Sequence, residues 1–277
     1  MSETSVTLRW EIPFKKKGRE TAELFVDVLK QHDPKALPRK FGLNEPLKMV
    51  VKGDDFSGFF DAYDEAGAAP YGDSVHFITH RRFSWGSISF SDPRDPTARR
   101  KAVGLKRVRA HISYLGRDFE TADKADTLVQ VFVQMARSLG AYYGIGYLET
   151  ELERRGANLY SYTRYPLPRS TDWLGVPQVP GWLVWFGAPY ADALSESCVN
   201  FITASYDAGF VMRRGATPQP LEQLLDNQPI YPPDLTARLC EQTLSGKTHS
   251  IFPPDVTALD PRMFDGPAKV ILPVNQR

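Results

Sequence analysis

Few residues in this chain have the type and spacing that chemistry needs. His76 and His80 stand four apart, the interval at which two imidazoles on one helix face hold a metal. But Val75, His76, Phe77, Ile78 and Thr79 are mostly β-branched or aromatic, which reads as a strand, where four residues span about 13 Å. No nearby glutamate or third ligand completes a set, so no metal and no cofactor are expected. Gly72-Asp73-Ser74 would put a serine nucleophile at a turn, but such a serine needs a histidine to take its proton and an acid to orient that histidine. His249, the only late histidine, has Gly246 three residues before it where an aspartate would serve. Gly246-Lys247-Thr248 ends like a phosphate-binding loop, yet Glu241 occupies the position five residues upstream where that loop needs glycine. It reads instead as the cap of a helix over Pro233–Leu244. No catalytic set emerges, and the expectation is a protein that is not an enzyme.

Charge is more informative. Between Gly53 and His80 lie Asp54, Asp55, Asp61, Asp64, Glu65 and Asp73 with no lysine or arginine, whereas Arg81 to Arg109 holds nine basic residues against two acidic ones. The two segments either pair with each other or present faces of opposite sign. As a partner surface, the acidic run with Phe59, Tyr63 and Tyr71 interleaved suits the basic cleft of a nucleic-acid enzyme. The basic run from Arg94 to Arg109 could hold phosphate, but no zinc, helix-turn-helix or RNP-type scaffold accompanies it.

The whole chain argues against extremes. Its 277 residues carry 34 basic and 33 acidic side chains, which excludes a strongly basic nucleic-acid coat and a strongly acidic nucleic-acid mimic. Twelve Tyr, 16 Phe and 5 Trp exclude general disorder. No apolar run approaches the roughly 20 residues of a membrane span. With no leader-like pattern at the start and only Cys198 and Cys240, the expected compartment is the cytoplasm.

The elements that must position these residues follow from periodicity. Val6, Leu8, Trp10, Ile12 and Phe14 alternate with polar residues, giving a strand with one apolar face. A helix follows over 19–31. Asp54 or Asp55 can cap a short helix carrying Phe56, Phe59, Phe60 and Tyr63 at i, i+3, i+4 and i+7. Strands are expected at 74–79, 83–91 and 108–115, then a long helix over 121–139 stopped by Gly140. Gly181–Phe186 reads as a buried strand, and a hairpin is expected around Asp207-Ala208-Gly209. Further helices are expected at 189–197 and 220–227, and a last strand at 268–272. Strands and helices intersperse without regular βαβ alternation, so the class is α+β: mixed or antiparallel sheets with packed helices. The chain reads as one domain over 1–277, or as two similar lobes sharing a sheet with a boundary near 161–180.

Three stretches go beyond composition. They are Pro38-Arg39-Lys40-Phe41-Gly42 leading to Glu45-Pro46-Leu47, then Gly86-Ser87-Ile88-Ser89-Phe90, then Gly181-Trp182-Leu183-Val184-Trp185-Phe186-Gly187-Ala188-Pro189-Tyr190. In this order they resemble the immunity protein 52 family, α+β proteins encoded beside polymorphic toxins that typically carry a restriction-endonuclease-like nuclease domain. The resemblance implies an immunity protein that neutralises a cognate nuclease toxin, as in type VI secretion, by stoichiometric binding. The expected partner is that toxin, with no direct nucleic acid and no membrane. The family has no catalytic motif to carry over. The expected contact residues are Asp54, Asp55, Phe59, Asp61, Tyr63, Asp64, Glu65, Tyr71 and Asp73, from the charge argument. Two alternatives are a nucleic-acid-binding accessory protein using 94–109 and a serine hydrolase around Ser74.

Overall fold

A computed structural model describes residues 4–13, 18–69, 73–81, 84–91, 107–148, 176–177, 181–187, 191, 195–196, 198–220, 223, 240–244 and 247–252. The alternating N-terminal residues form β1 (Ser5–Pro13), and α1 (Gly18–His32) follows. A short turn leads to β2 (Pro38–Gly42) and β3 (Met49–Val50), then α2 (Ser57–Ala68). Strands β4 (Ser74–Thr79), β5 (Trp85–Ser91) and β6 (Arg107–Leu115) precede α3 (Ala122–Ser138). Beyond it come β7 (Tyr143–Leu148), β8 (Val176–Pro177), β9 (Leu183–Gly187), β10 (Ala204–Tyr206), β11 (Gly209–Arg213), β12 (Cys240–Leu244) and β13 (Lys247–Phe252).

Ten of these strands make one sheet in the order β10-β11-β9-β7-β1-β6-β5-β4-β2-β3, every neighbour antiparallel. The α+β class holds. Because β9 pairs with β7, the segments on either side of the expected lobe boundary share a single sheet. The three-stranded sheet β12-β13-β8 is separate.

One face of the large sheet carries the helices. Val6, Leu8, Trp10 and Ile12 meet Val108, Ala110, Ile112 and Tyr114 across the β1–β6 register, and all are buried. Helix α2 packs on β2, β4 and β5, α3 on β1, β7 and β9, and α1 lies against both helices. The apolar stripe of α3 (Ala125, Leu128, Val131, Phe132, Met135 and Ala136) is fully buried, and its chain stops at Gly140 with φ +60°. That positive φ is one a side chain disfavours. Gly86 is required for a different reason: a Cβ there would collide with the Phe77 ring and the His111 carbonyl.

Two expectations need correction. The helix expected over 233–244 ends instead in β12, which hairpins with β13. Gly246 reads as a helix stop, but Lys247–Phe252 supplies a β-rich partner strand, and pairing with it decides Cys240–Leu244. Strand β7 was not expected at all: all six of its residues are buried, so it shows no alternation. The expected helices at 189–197 and 220–227 lie largely outside the described residues, and the strand at 268–272 wholly so.

Candidate functional site

The acidic segment folds into a loop and one helix. Asp54 and Asp55 sit in the turn after β3. The Asp55 carboxylate accepts a hydrogen bond from the Ser57 backbone N–H at 2.9 Å, which fixes the entry into α2. The Ser57 hydroxyl and N–H, with a smaller contribution from Lys52, hold Asp55 below the usual carboxylate range. On α2, Phe59, Tyr63 and Ala66 point into the core, while Asp61, Asp64 and Glu65 point to solvent. The helix is amphipathic in the ordinary sense, and its outer face carries only negative charge.

This corrects two expected contact residues. Phe59 is fully buried between Phe41 and Phe77, with ring centroids at 5.6 and 5.8 Å. Tyr63 is 2% exposed and packs on Phe90 at 4.7 Å. Burial and the T-shaped contacts hold α2 on the sheet, so neither ring is free to anchor a partner. Asp73 is exposed at the start of β4, where its carboxylate accepts from Ser74 N–H at 2.8 Å. Tyr71 lies outside the described residues.

The structure adds carboxylates that the linear charge run does not include. Glu20, Glu23 and Asp27 are exposed on α1, which packs beside α2. Their spacing of three and four residues places them on one helix face, a signal present in the sequence. Arg19 stands between the helices, bonded to Glu23 at 3.3 Å and Asp61 at 3.4 Å, and lies over Phe60. Lys30 covers Phe56. Among the described residues, Asp54, Asp64 and Glu65 have no basic group within 4 Å. The outer surface of α1 and α2 is therefore an acidic strip with Arg19 as its inner cation.

Where the basic segment is described, it does not pair with this strip. Arg81 grips Asp33 through two bonds, 2.8 and 3.1 Å, and reaches Asp118 at 2.6 Å. Arg109 turns inward to Glu11 at 2.9 Å. Residues 92–106, most of the expected phosphate-holding run, lie outside the described residues.

The sheet face away from the helices presents a second polar group. Ser74 donates to Ser89 at 2.9 Å, Ser89 meets Ser87 at 3.2 Å, and Ser87 meets His111 Nδ1 at 3.2 Å. Two hydroxyls thus separate Ser74 from the imidazole. Burial, reinforced by Arg109, Arg9 and His76, lowers the His111 pKa to about 3. Its Nε2 is buried with no hydrogen-bond partner among the described residues. Beside it, Glu11 binds Arg9 as well as Arg109. His76 and His80 belong to β4 and its end, and no group of three metal-ligating side chains occurs among the described residues. No helix among these residues is long and apolar enough to cross a membrane.

No family model and no curated protein matches this chain. Among solved structures, a type VI secretion system protein of Pseudomonas aeruginosa is 14% identical with a TM-score of 0.46, over 78% of this chain and 67% of that one. A crystal structure of the toxic C-terminal tip of CdiA from Pseudomonas aeruginosa, in complex with immune protein, gives 14% identity and a TM-score of 0.29, over 53% of this chain and 87% of the matched chain.

Proposed function

We propose that this protein is an immunity protein that binds and neutralises a cognate nuclease toxin, using the acidic strip of α1 and α2 as a contact surface. The observation that carries the reading is the strip itself: exposed carboxylates on two adjacent helices, held on a rigid sheet by Phe59 and Tyr63. The resemblance to the immunity protein 52 family supplies the kind of partner. The described parts of the resembling blocks fall on β2, β5, β9 and the loop after β2, away from the outer surface of α1 and α2. A nuclease holds its substrate with basic side chains, and a surface of opposite sign is attracted to such a cleft or to a basic exosite beside it. Neutralisation by occupancy needs an interface of about 1,600 Å² and no catalysis.

The hydrolase alternative is disfavoured by the geometry around His111. A general base works best with a pKa near the operating pH and with a carboxylate on its second nitrogen. His111 has cations for neighbours and a pKa near 3, and Ser74 is two hydroxyls away.

The test is a tagged pull-down from the native host, followed by titration of the co-purifying toxin against wild type and an Asp61→Lys/Asp64→Lys/Glu65→Lys variant. The expected result is a single stoichiometric partner whose nuclease activity vanishes on binding. The variant should bind about 100-fold more weakly, with a flatter salt dependence. Unchanged affinity would remove α2 from the interface.

A further inference from the structure

Helix α2 covers one face of β2, β4 and β5, while the other face of the same strands leaves Lys40 and Trp85 exposed and Ile78 half-buried. The register Val50–Lys40–Ile78–Trp85 sets one residue from each of β3, β2, β4 and β5 side by side on that face. At the usual strand spacing the row is about 14 Å long. Its ends are apolar and in water, Val50 being 50% and Trp85 41% exposed. The Trp85 ring is fixed in place: it meets His111 edge-on at 4.7 Å, and Ser87 holds His111 Nδ1 at 3.2 Å. A large aromatic ring oriented before binding and left exposed is what an interface anchor requires. Within the row lies an open depression of about 550 Å³, lined by Lys40, Glu45, Pro46, Leu47 and Ile78. Lys40 and Glu45 are both exposed, and among the described residues neither has an ion-pair partner. The depression therefore combines an apolar lining with two uncompensated charges of opposite sign.

From this arrangement we propose that the depression docks a partner protein, and that the occupant brings one large apolar side chain flanked by a carboxylate and a cation. The apolar side chain covers Pro46, Leu47 and Ile78 beside Trp85, the carboxylate meets Lys40, and the cation meets Glu45. An apolar centre gives the affinity, and charged groups around it give the choice of partner. Opposite signs in one depression also act against the wrong occupant. A uniformly acidic or uniformly basic segment would satisfy one of the two charges and be repelled by the other. A nucleic-acid strand, negative along its length, fails in the same way at Glu45. The site lies on the opposite face of the sheet from α2 and uses no residue of the acidic strip, so it is independent of the toxin reading.

The probes are three peptides, Gly-Glu-Gly-Phe-Gly-Lys-Gly, Gly-Glu-Gly-Phe-Gly-Glu-Gly and Gly-Lys-Gly-Phe-Gly-Lys-Gly, titrated at low salt into the full chain labelled with nitrogen-15. The readout is the indole N–H signal of Trp85, identified by its loss in Trp85→Phe. The mixed-charge peptide should shift that signal at about fivefold lower concentration than either like-charged peptide. The indole of Trp10, buried and bonded to the Phe132 carbonyl, should not move. Lys40→Glu should transfer the preference to the lysine peptide, and Glu45→Lys should transfer it to the glutamate peptide. A Trp85 signal that stays fixed, one that responds equally to all three peptides, or a preference that survives both substitutions would overturn the proposal. So would a Trp85 signal that shifts with protein concentration alone, since a second copy would then fill the depression.

Discussion

Trp10 and Glu11 are neighbours on β1, equally inaccessible to water, and opposite in what they stabilise. Trp10 faces the helices, is fully buried against Phe132 at 5.8 Å, and donates its indole N–H to the Phe132 carbonyl at 3.0 Å. Glu11 faces the other way, is 1% exposed, and takes Arg9 and Arg109 on one carboxylate oxygen. The helix face of the sheet is mainly apolar, with Thr79 as a buried hydroxyl at the end of β4, and contributes through burial. The reverse face has Thr7, Arg9, Glu11, Ser87 and Ser113 buried as well, and each polar group there must be matched. A sheet with two covered faces of different chemistry has one side that tolerates conservative apolar exchange and one that does not.

The largest effect expected from breaking this pair is on the apolar side. Trp10→Ala removes the biggest side chain of β1 and opens a void between sheet and α3. A loss of about 4 kcal/mol in urea unfolding is expected. Trp10→Phe keeps most of the volume and loses the hydrogen bond, for about 1 to 2 kcal/mol. The polar side comes next. Glu11→Ala takes away the carboxylate shared by two guanidiniums, at a cost of about 3 kcal/mol. Here the two faces separate: a triple Arg9→Met/Glu11→Leu/Arg109→Met variant should recover most of that loss, because no charge remains to be matched. If the triple variant is no more stable than Glu11→Ala, the cluster stabilises through packing and the contrast between the faces fails.

Most of this architecture is written in local pattern. The period of two in β1 and β6 fixes both faces at once, and the expected strand at 74–79 coincides with β4, whose burial alternates residue by residue. The stripe of α3 and the glycine after it fix that helix. The failures have physical causes. β7, Tyr-Gly-Ile-Gly-Tyr-Leu, is buried on both faces and carries no alternation to read. Cys240–Leu244 has no strong local preference, and its pairing with β13 decides it. The acidic residues of α2 were legible as a run, but burial assigns Phe59 and Tyr63 to the core. A helical period alone does not say which side of Phe56, Phe59, Phe60 and Tyr63 meets the sheet. The pairing of Glu11 with Arg109 joins residues 98 apart and is fixed only when β1 and β6 come into register.

His111 gives the smallest and sharpest test of the polar face. Folding holds its imidazole neutral, with a pKa near 3, because the ring is buried and Arg109, Arg9 and His76 oppose a further positive charge. An unfolded chain would return it to about 6.5. Between these values the unfolded state binds the extra proton. Stability is therefore complete above about pH 6.5 and falls as pH drops toward 3, by up to about 1.4 kcal/mol per pH unit for this one group. From pH 7 to pH 5.5, above the range where most carboxylates titrate, the loss should be about 1 kcal/mol. Urea unfolding at the two pH values measures it, and His111→Asn should reduce the difference between them. A slope that persists unchanged in His111→Asn would show that this ring is not the group that folding holds neutral.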